Sequence, residues 1–221
     1  MHRRLLLLGA ALLAACATQD TAATADPDAA TQGGGVPAGY LGRVDPPRAG
    51  RTAANIADAS YAMSDGRWEV RTGPAHIVYA TGDTASGAYT ATATIDLLEQ
   101  PEHPEAFGLF IGGANLDQPS ERYTYFIVRH SGEYMVRVRQ SDDSVRTIAD
   151  WTASPDVPKL DASGRASYKL TAHVDSDSTH FMVNDRIVAS VATASIPTDG
   201  IAGLRINHNL HVMTGPVAIE R

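Results

Sequence analysis

Carboxylates and histidines crowd one stretch of this 221-residue chain, where Asp96, Glu99, Glu102, His103 and Glu105 follow in close succession. Two carboxylates about 5–9.5 Å apart can split a glycosidic bond, one as acid and the other as nucleophile or base. The same oxygens could hold a hard cation. Pro101 and Pro104 extend the loop that carries three of the acids, and its spacing matches no cation loop, so a solvated acidic loop is the plainer reading. His208 and His211 stand three apart, which on a strand sends them to opposite faces and denies them a shared metal. The chain contains no G-x-S-x-G elbow, P-loop or dinucleotide fingerprint. Nucleophilic and nucleotide chemistry are disfavoured, and neither a metal nor a cofactor is expected.

A second set is spread over three distant segments: Tyr123 and Tyr125, Arg137 and Arg139, and Arg205, Asn207 and Asn209, with Trp68 as a further aromatic. Aromatic faces meet the C–H groups of sugars while Arg and Asn bind their hydroxyls, so on one sheet this set is a carbohydrate platform. It equally suits a solvated sheet face on which arginine pairs with aromatic across strands. Trp151 is read as core packing.

Only strands can bring these segments together. From Trp68 onward, runs of β-branched and aromatic residues alternate with Gly, Pro, Asp and Asn, the mark of consecutive antiparallel strands. Strands are expected near 68–72, 75–80, 89–98, 106–111, 123–130, 134–140, 144–151, 167–174, 179–183, 186–191, 200–207 and 211–220. No segment sustains a helical stripe. Ser131-Gly132 and Asn184-Asp185 read as hairpin turns, because Gly, Asn and Asp best tolerate positive φ. In the run from Tyr89 to Leu97 the odd positions are apolar or aromatic and the even ones are threonine or aspartate, so one face is buried and the other solvated. A dozen such strands must stack as two sheets, giving an all-β antiparallel sandwich.

The amino terminus supplies an address. His2, Arg3 and Arg4 precede an apolar run from Leu5 to Ala15, too short for the roughly 20 residues of a membrane-spanning helix. It ends in Leu13-Ala14-Ala15-Cys16, which resembles the bacterial lipobox. Residues 1–15 are therefore expected to be a lipoprotein signal peptide, and Cys16 the site of lipidation. Residues 16–38, rich in Ala, Thr, Asp and Gly, read as a flexible tether, and residues 39–221 as the folded domain. Ala17 lacks the aspartate that would retain such a lipoprotein at the inner membrane, so the resemblance implies the outer membrane, lipid-anchored at its periplasmic face or at the cell surface. Cys16 is the single cysteine, so no intramolecular disulfide or thiolate metal site staples the fold. The formal charge of −7 argues against a nucleic-acid partner, which would need clustered Lys and Arg.

With the strands laid out, the chain from Trp68 to its end resembles the concanavalin A-like lectin/glucanase jelly rolls, and within them the bacterial 3-keto-disaccharide hydrolase-like domains. The residues that carry the likeness run Gly73 to Tyr79, Gly108 to Gly113, Tyr123 to Arg129, Val183-Asn184 and Gly200 to Leu210. The resemblance implies a jelly-roll sandwich and carbohydrate as ligand class. Laminarinase-type relatives place Glu-x-Asp-x-x-Glu on one strand. Here the matching stretch, Thr94 to Glu99, carries threonine in the nucleophile's place, and threonine cannot form the glycosyl ester. The expected function is a membrane-anchored lipoprotein with a lectin-like, non-catalytic domain. The alternatives are a hydrolase or lyase acting on glucosides or 3-keto-glucosides, and a structural envelope protein that docks a protein partner.

Overall fold

The structure is a computed structural model and describes residues 35–47, 50 and 52–221. The signal peptide, Cys16 and the tether as far as residue 34 lie outside the described residues. Gly35, within the stretch read as tether, donates its N–H to Ala59 O at 3.0 Å and bridges to Ser60.

In chain order the strands are β1 (Leu41–Val44), β2 (Ser60–Ser64), β3 (Arg67–Arg71), β4 (His76–Ala85) and β5 (Tyr89–Leu97). Next come β6 (Ala106–Ala114), β7 (Arg122–Arg129), β8 (Glu133–Ser141), β9 (Ser144–Ala153) and β10 (Ala166–Val174). The last are β11 (Ser178–Val183), β12 (Arg186–Ala192), β13 (Gly200–Ile206), β14 (His211–Thr214) and β15 (Ala218–Glu220). One sheet has the order β1-β4-β13-β6-β7-β8-β9; the other runs β12-β11-β10-β5-β14-β3-β2, with β15 also paired to β5. Their packing makes an all-β antiparallel sandwich, as the alternation predicts, with the jelly-roll architecture that the resemblance implies.

The central strands bury a face between the sheets. On β5, Tyr89, Ala91, Ala93, Ile95 and Leu97 are buried, and their partners Tyr168, Leu170, Ala172 and Val174 on β10 are buried with them. Phe107 and Phe126 from the seven-stranded sheet meet Tyr168 and Phe181 from the other at 5.1 and 5.2 Å between ring centroids. Each such side chain contributes on the order of 1.5–3 kcal/mol by leaving water. At the margin of this layer His76 is fully buried: its Nδ1 lies 2.8 Å from Pro74 O and its Nε2 2.6 Å from the Tyr61 hydroxyl.

Both expected hairpins form. Gly132 (φ 91°) turns β7 into β8, and Asn184 and Asp185 (φ 47° and 65°) turn β11 into β12. The expected strand 211–220 is two strands, because Pro216 has no N–H to offer a ladder; β14 and β15 both pair with β5 on either side of that break. Between β8 and β9 the register shifts three times, at Tyr134/Val136, Val136/Arg137 and Arg139/Ser141, so β9 carries bulges along its length.

Candidate functional site

The outer face of the seven-stranded sheet gathers five residues of the expected platform, but Tyr123, Tyr125, Arg139 and Arg205 are buried there, and of the five only Arg137 is partly exposed. Tyr123 lies opposite Arg139 and Tyr125 opposite Arg137 across the β7–β8 pair. Arg205 on β13 stands opposite Gly108 on β6, so no side chain intervenes between it and the tyrosines of β7. The Arg205 guanidinium lies 5.1 Å from the Tyr125 ring centre and donates to the Tyr123 hydroxyl at 3.3 Å. Beneath them Ile77, Tyr79, Phe110, Leu116, Ile127 and Met135 form a second apolar cluster on this face.

Acids from outside the sheet complete the arrangement. Asp45, just past β1, accepts from both Nη atoms of Arg205 at 2.8 and 2.5 Å and lies 3.5 Å from Arg139 Nη2. Glu121, ahead of β7, lies 2.6 Å from Arg43 Nη1 and 3.4 Å from Arg139 Nε. Arg43 Nη2 donates to both oxygens of Asp142 at 2.8 and 3.0 Å, and Arg139 Nη1 donates to the Asp142 carbonyl at 3.1 Å. Three arginines thus alternate with three carboxylates.

The field of this cluster sets its ionisation. Burial pushes the Asp45 carboxyl up, but the Arg205 guanidinium and, behind it, Arg139 hold it below the usual carboxylate range. Burial wins at Glu121, which stays raised despite Arg43 and Arg139. Arg205 loses solvent yet is held well above its ordinary value by Asp45, and burial lifts Tyr123 to about 12.

Three expected members do not join this face. Trp68 on β3 belongs to the other sheet and points inward, edge-on to Tyr40 with centroids 4.7 Å apart. Asn207 and Asn209 follow β13 where the chain crosses between sheets: Asn207 N–H donates to Ala106 O, its carbonyl accepts from Thr72 Oγ1 at 2.7 Å, and Asn209 takes φ 56°. Their role is to make the crossing, and the strand expected over 200–207 ends at Ile206.

Trp151 packs on buried residues, as expected, but on the outer face rather than between the sheets. It lies on β9 at the margin of the outer face, half-buried against the second cluster, with the Arg129 guanidinium 4.2 Å from its ring centre. Glu133 holds Arg129 through two bonds of 2.7 Å and accepts from Ser131 Oγ at 2.6 Å; these bonds keep its carboxyl near pKa 2. Beside the tryptophan, Arg137 donates to Asp150 at 3.2 Å, and its buried Nε has no hydrogen-bond partner among the described residues.

The acids that sequence spacing singled out lie elsewhere. Asp96 is on β5 of the eight-stranded sheet, 2.5 Å from Arg67 Nη1. Glu99 meets Arg71 at 3.4 Å and His211 Nδ1 at 3.3 Å, while His211 Nε2 meets Glu69 at 2.7 Å. His208 pairs with Glu105 at 3.0 Å. Among the described residues, no group of three His, Cys, Asp or Glu side chains is placed to hold a metal ion.

No protein-family model matches this sequence, and no curated protein matches it. Solved structures match its fold. The carbohydrate-binding module CBM66 from Bacillus subtilis superposes with a TM-score of 0.56 at 14% identity, over 74% of this chain and 92% of that one. A protein of unknown function with a galectin-like fold, also from Bacillus subtilis, gives 0.58 at 14% identity over 82% and 88%. A glycoside hydrolase family 16 endo-glucanase from Bacteroides ovatus gives 0.55 at 13% identity over 81% and 94%.

Proposed function

We propose that this chain is a lectin-like, non-catalytic carbohydrate-binding domain held at the bacterial outer membrane by a lipid on Cys16. The observation that carries the binding reading is the margin of the outer face formed by β8 and β9. There Trp151 is partly exposed with the Arg129 guanidinium over its ring, Asp150 is an exposed acceptor paired with Arg137, and Arg137 lies opposite Tyr125 across the β7–β8 pair. A sugar ring laid on such a margin buries its C–H face against the aromatic and exchanges hydroxyl bonds with the charged groups. That the solved relatives of this fold include a carbohydrate-binding module and a glucanase is consistent with it.

Replacing Trp151 by alanine or Arg137 by alanine is expected to weaken retention on immobilised or gel-embedded polysaccharide at least tenfold, about 1.4 kcal/mol, measured well below each variant's thermal midpoint because Trp151 also packs on the second cluster. Affinity electrophoresis across a panel of glucans, galactans and acidic glycans reads this directly. Retention of none of them, or retention indifferent to both variants, would sink the reading.

The anchor has its own test. Among the described residues no helix is long and apolar enough to cross a membrane, and the acyl chains on Cys16 would supply about 0.8 kcal/mol for each buried methylene. Cells expressing the full chain should incorporate labelled palmitate into it and carry it in the outer-membrane fraction. The Cys16→Ser variant should do neither; palmitate-free protein in that fraction would refute lipidation.

A further inference from the structure

Asp45 differs from its neighbours in where it is rooted. The groups that receive its carboxylate, Arg205 and Arg139, and Tyr123, whose hydroxyl accepts from Arg205, project from the strands β13, β8 and β7, and each is more than nine-tenths buried. Asp45 itself comes from the segment beyond β1, an edge strand of four residues, and its side chain is 28% exposed. The receptor is therefore built from the sheet, and its occupant is lent by the margin.

That receptor has a definite chemistry. Arg205 presents a planar fork to both carboxylate oxygens, Arg139 adds a second cation, and Tyr123 and Tyr125 supply a hydroxyl and a ring face beside it. Forked pairing of this kind selects planar carboxylates, and on the carbohydrate-binding reading a sugar that bears one is a uronate. The buried Arg205 Nε has no hydrogen-bond partner among the described residues. Without Asp45, among the described residues the three arginines would face the carboxylates of Glu121 and Asp142, leaving one net positive charge for a monoanion.

We propose that Asp45 is an internal occupant of a carboxylate seat, and that the seat's external ligand is the uronate of an acidic glycan, which displaces Asp45 on binding. This deepens the carbohydrate-binding reading and rests on it. A tethered occupant acts at an effective concentration of roughly millimolar or more, so it weakens the apparent affinity for any external carboxylate.

The full-length protein and its Asp45→Ala variant, titrated calorimetrically at pH 7 with glucuronate, trigalacturonate, acetate and glucose, test this. The variant should bind both uronates at least tenfold more tightly than the unsubstituted protein does, acetate more weakly than the uronates, and glucose no better than before. Glucuronate should also raise the variant's thermal midpoint. Adding Arg205→Met should abolish the gain. If Asp45→Ala does not fold, Asp45→Asn, which keeps the volume and removes the charge, is put through the same comparison. Uronate binding no tighter than in the unsubstituted protein, or no preference over glucose, would overturn the seat. Trp151-dependent retention of a neutral glucan alongside that result would leave the broader binding reading standing; its absence would remove both.

Discussion

Replacing Arg205 by methionine will destabilise the domain by about 3–5 kcal/mol in urea unfolding, the range seen when one partner of a buried ion pair is removed. The loss is not the value of the contact. It is the penalty of leaving Asp45 with Arg139 alone at 3.5 Å, and of leaving the Tyr123 hydroxyl without the guanidinium that bonds it. Two charges removed together carry no such penalty, so the Arg205→Met and Asp45→Leu double variant should regain most of the lost stability. Single and double variants that are equally destabilised would show that these side chains act through packing. A single variant within about 0.5 kcal/mol of the original would show that the cluster is already hydrated, since surface changes rarely exceed that.

Stability will also fall as pH drops from about 6.5 to about 4, by up to roughly 3 kcal/mol from His76 alone. Burial drives this imidazole down to about pKa 4, and the bond to Pro74 O opposes the fall only in part. Neutral at pH 7, the ring donates from Nδ1 to that carbonyl and accepts from Tyr61 at Nε2. In the unfolded chain the same group titrates near 6.5, so between the two values the unfolded state holds more protons. The stabilisation is therefore complete above about 6.5 and lost on the way down. Glu121, with its raised pKa, acts in the opposite sense near the carboxylate range, and Asp45, lowered, adds a loss at still lower pH. Unfolding free energies at pH 7.5 and 4.5 for the protein and for His76→Gln isolate the histidine: the variant should lack most of the slope. Equal slopes would mean that the ring finds a partner for its second proton.

The strands and their inward faces were legible because period-two alternation is local. Tyr89 to Leu97 states its buried face in its own letters, and Asn184-Asp185 states its turn. Which sheet a strand joins is not written in that strand. Trp68 and Trp151 sit in similar alternating runs, yet β3 pairs into the eight-stranded sheet and turns its tryptophan inward, while β9 closes the other sheet with its tryptophan outward. The tyrosines and arginines of β7, β8 and β13 were found because they lie on regular strands. Asp45 and Glu121 were not, because they stand in connecting segments without periodicity; Asp45 reaches Arg205 across 160 residues of sequence. Charge balance offered one clue, since arginines at consecutive same-face positions of a strand call for acids from somewhere.

The broken register of β9 has a bearing on how copies of this domain meet. A ten-residue strand at the end of a seven-stranded sheet would ordinarily display a row of unpaired amides and carbonyls on which another chain could grow. Bulges displace that row from the spacing an incoming strand requires. Crowded copies can therefore touch at this margin without zipping into a continuous sheet, and the tryptophan beside it is left to other company.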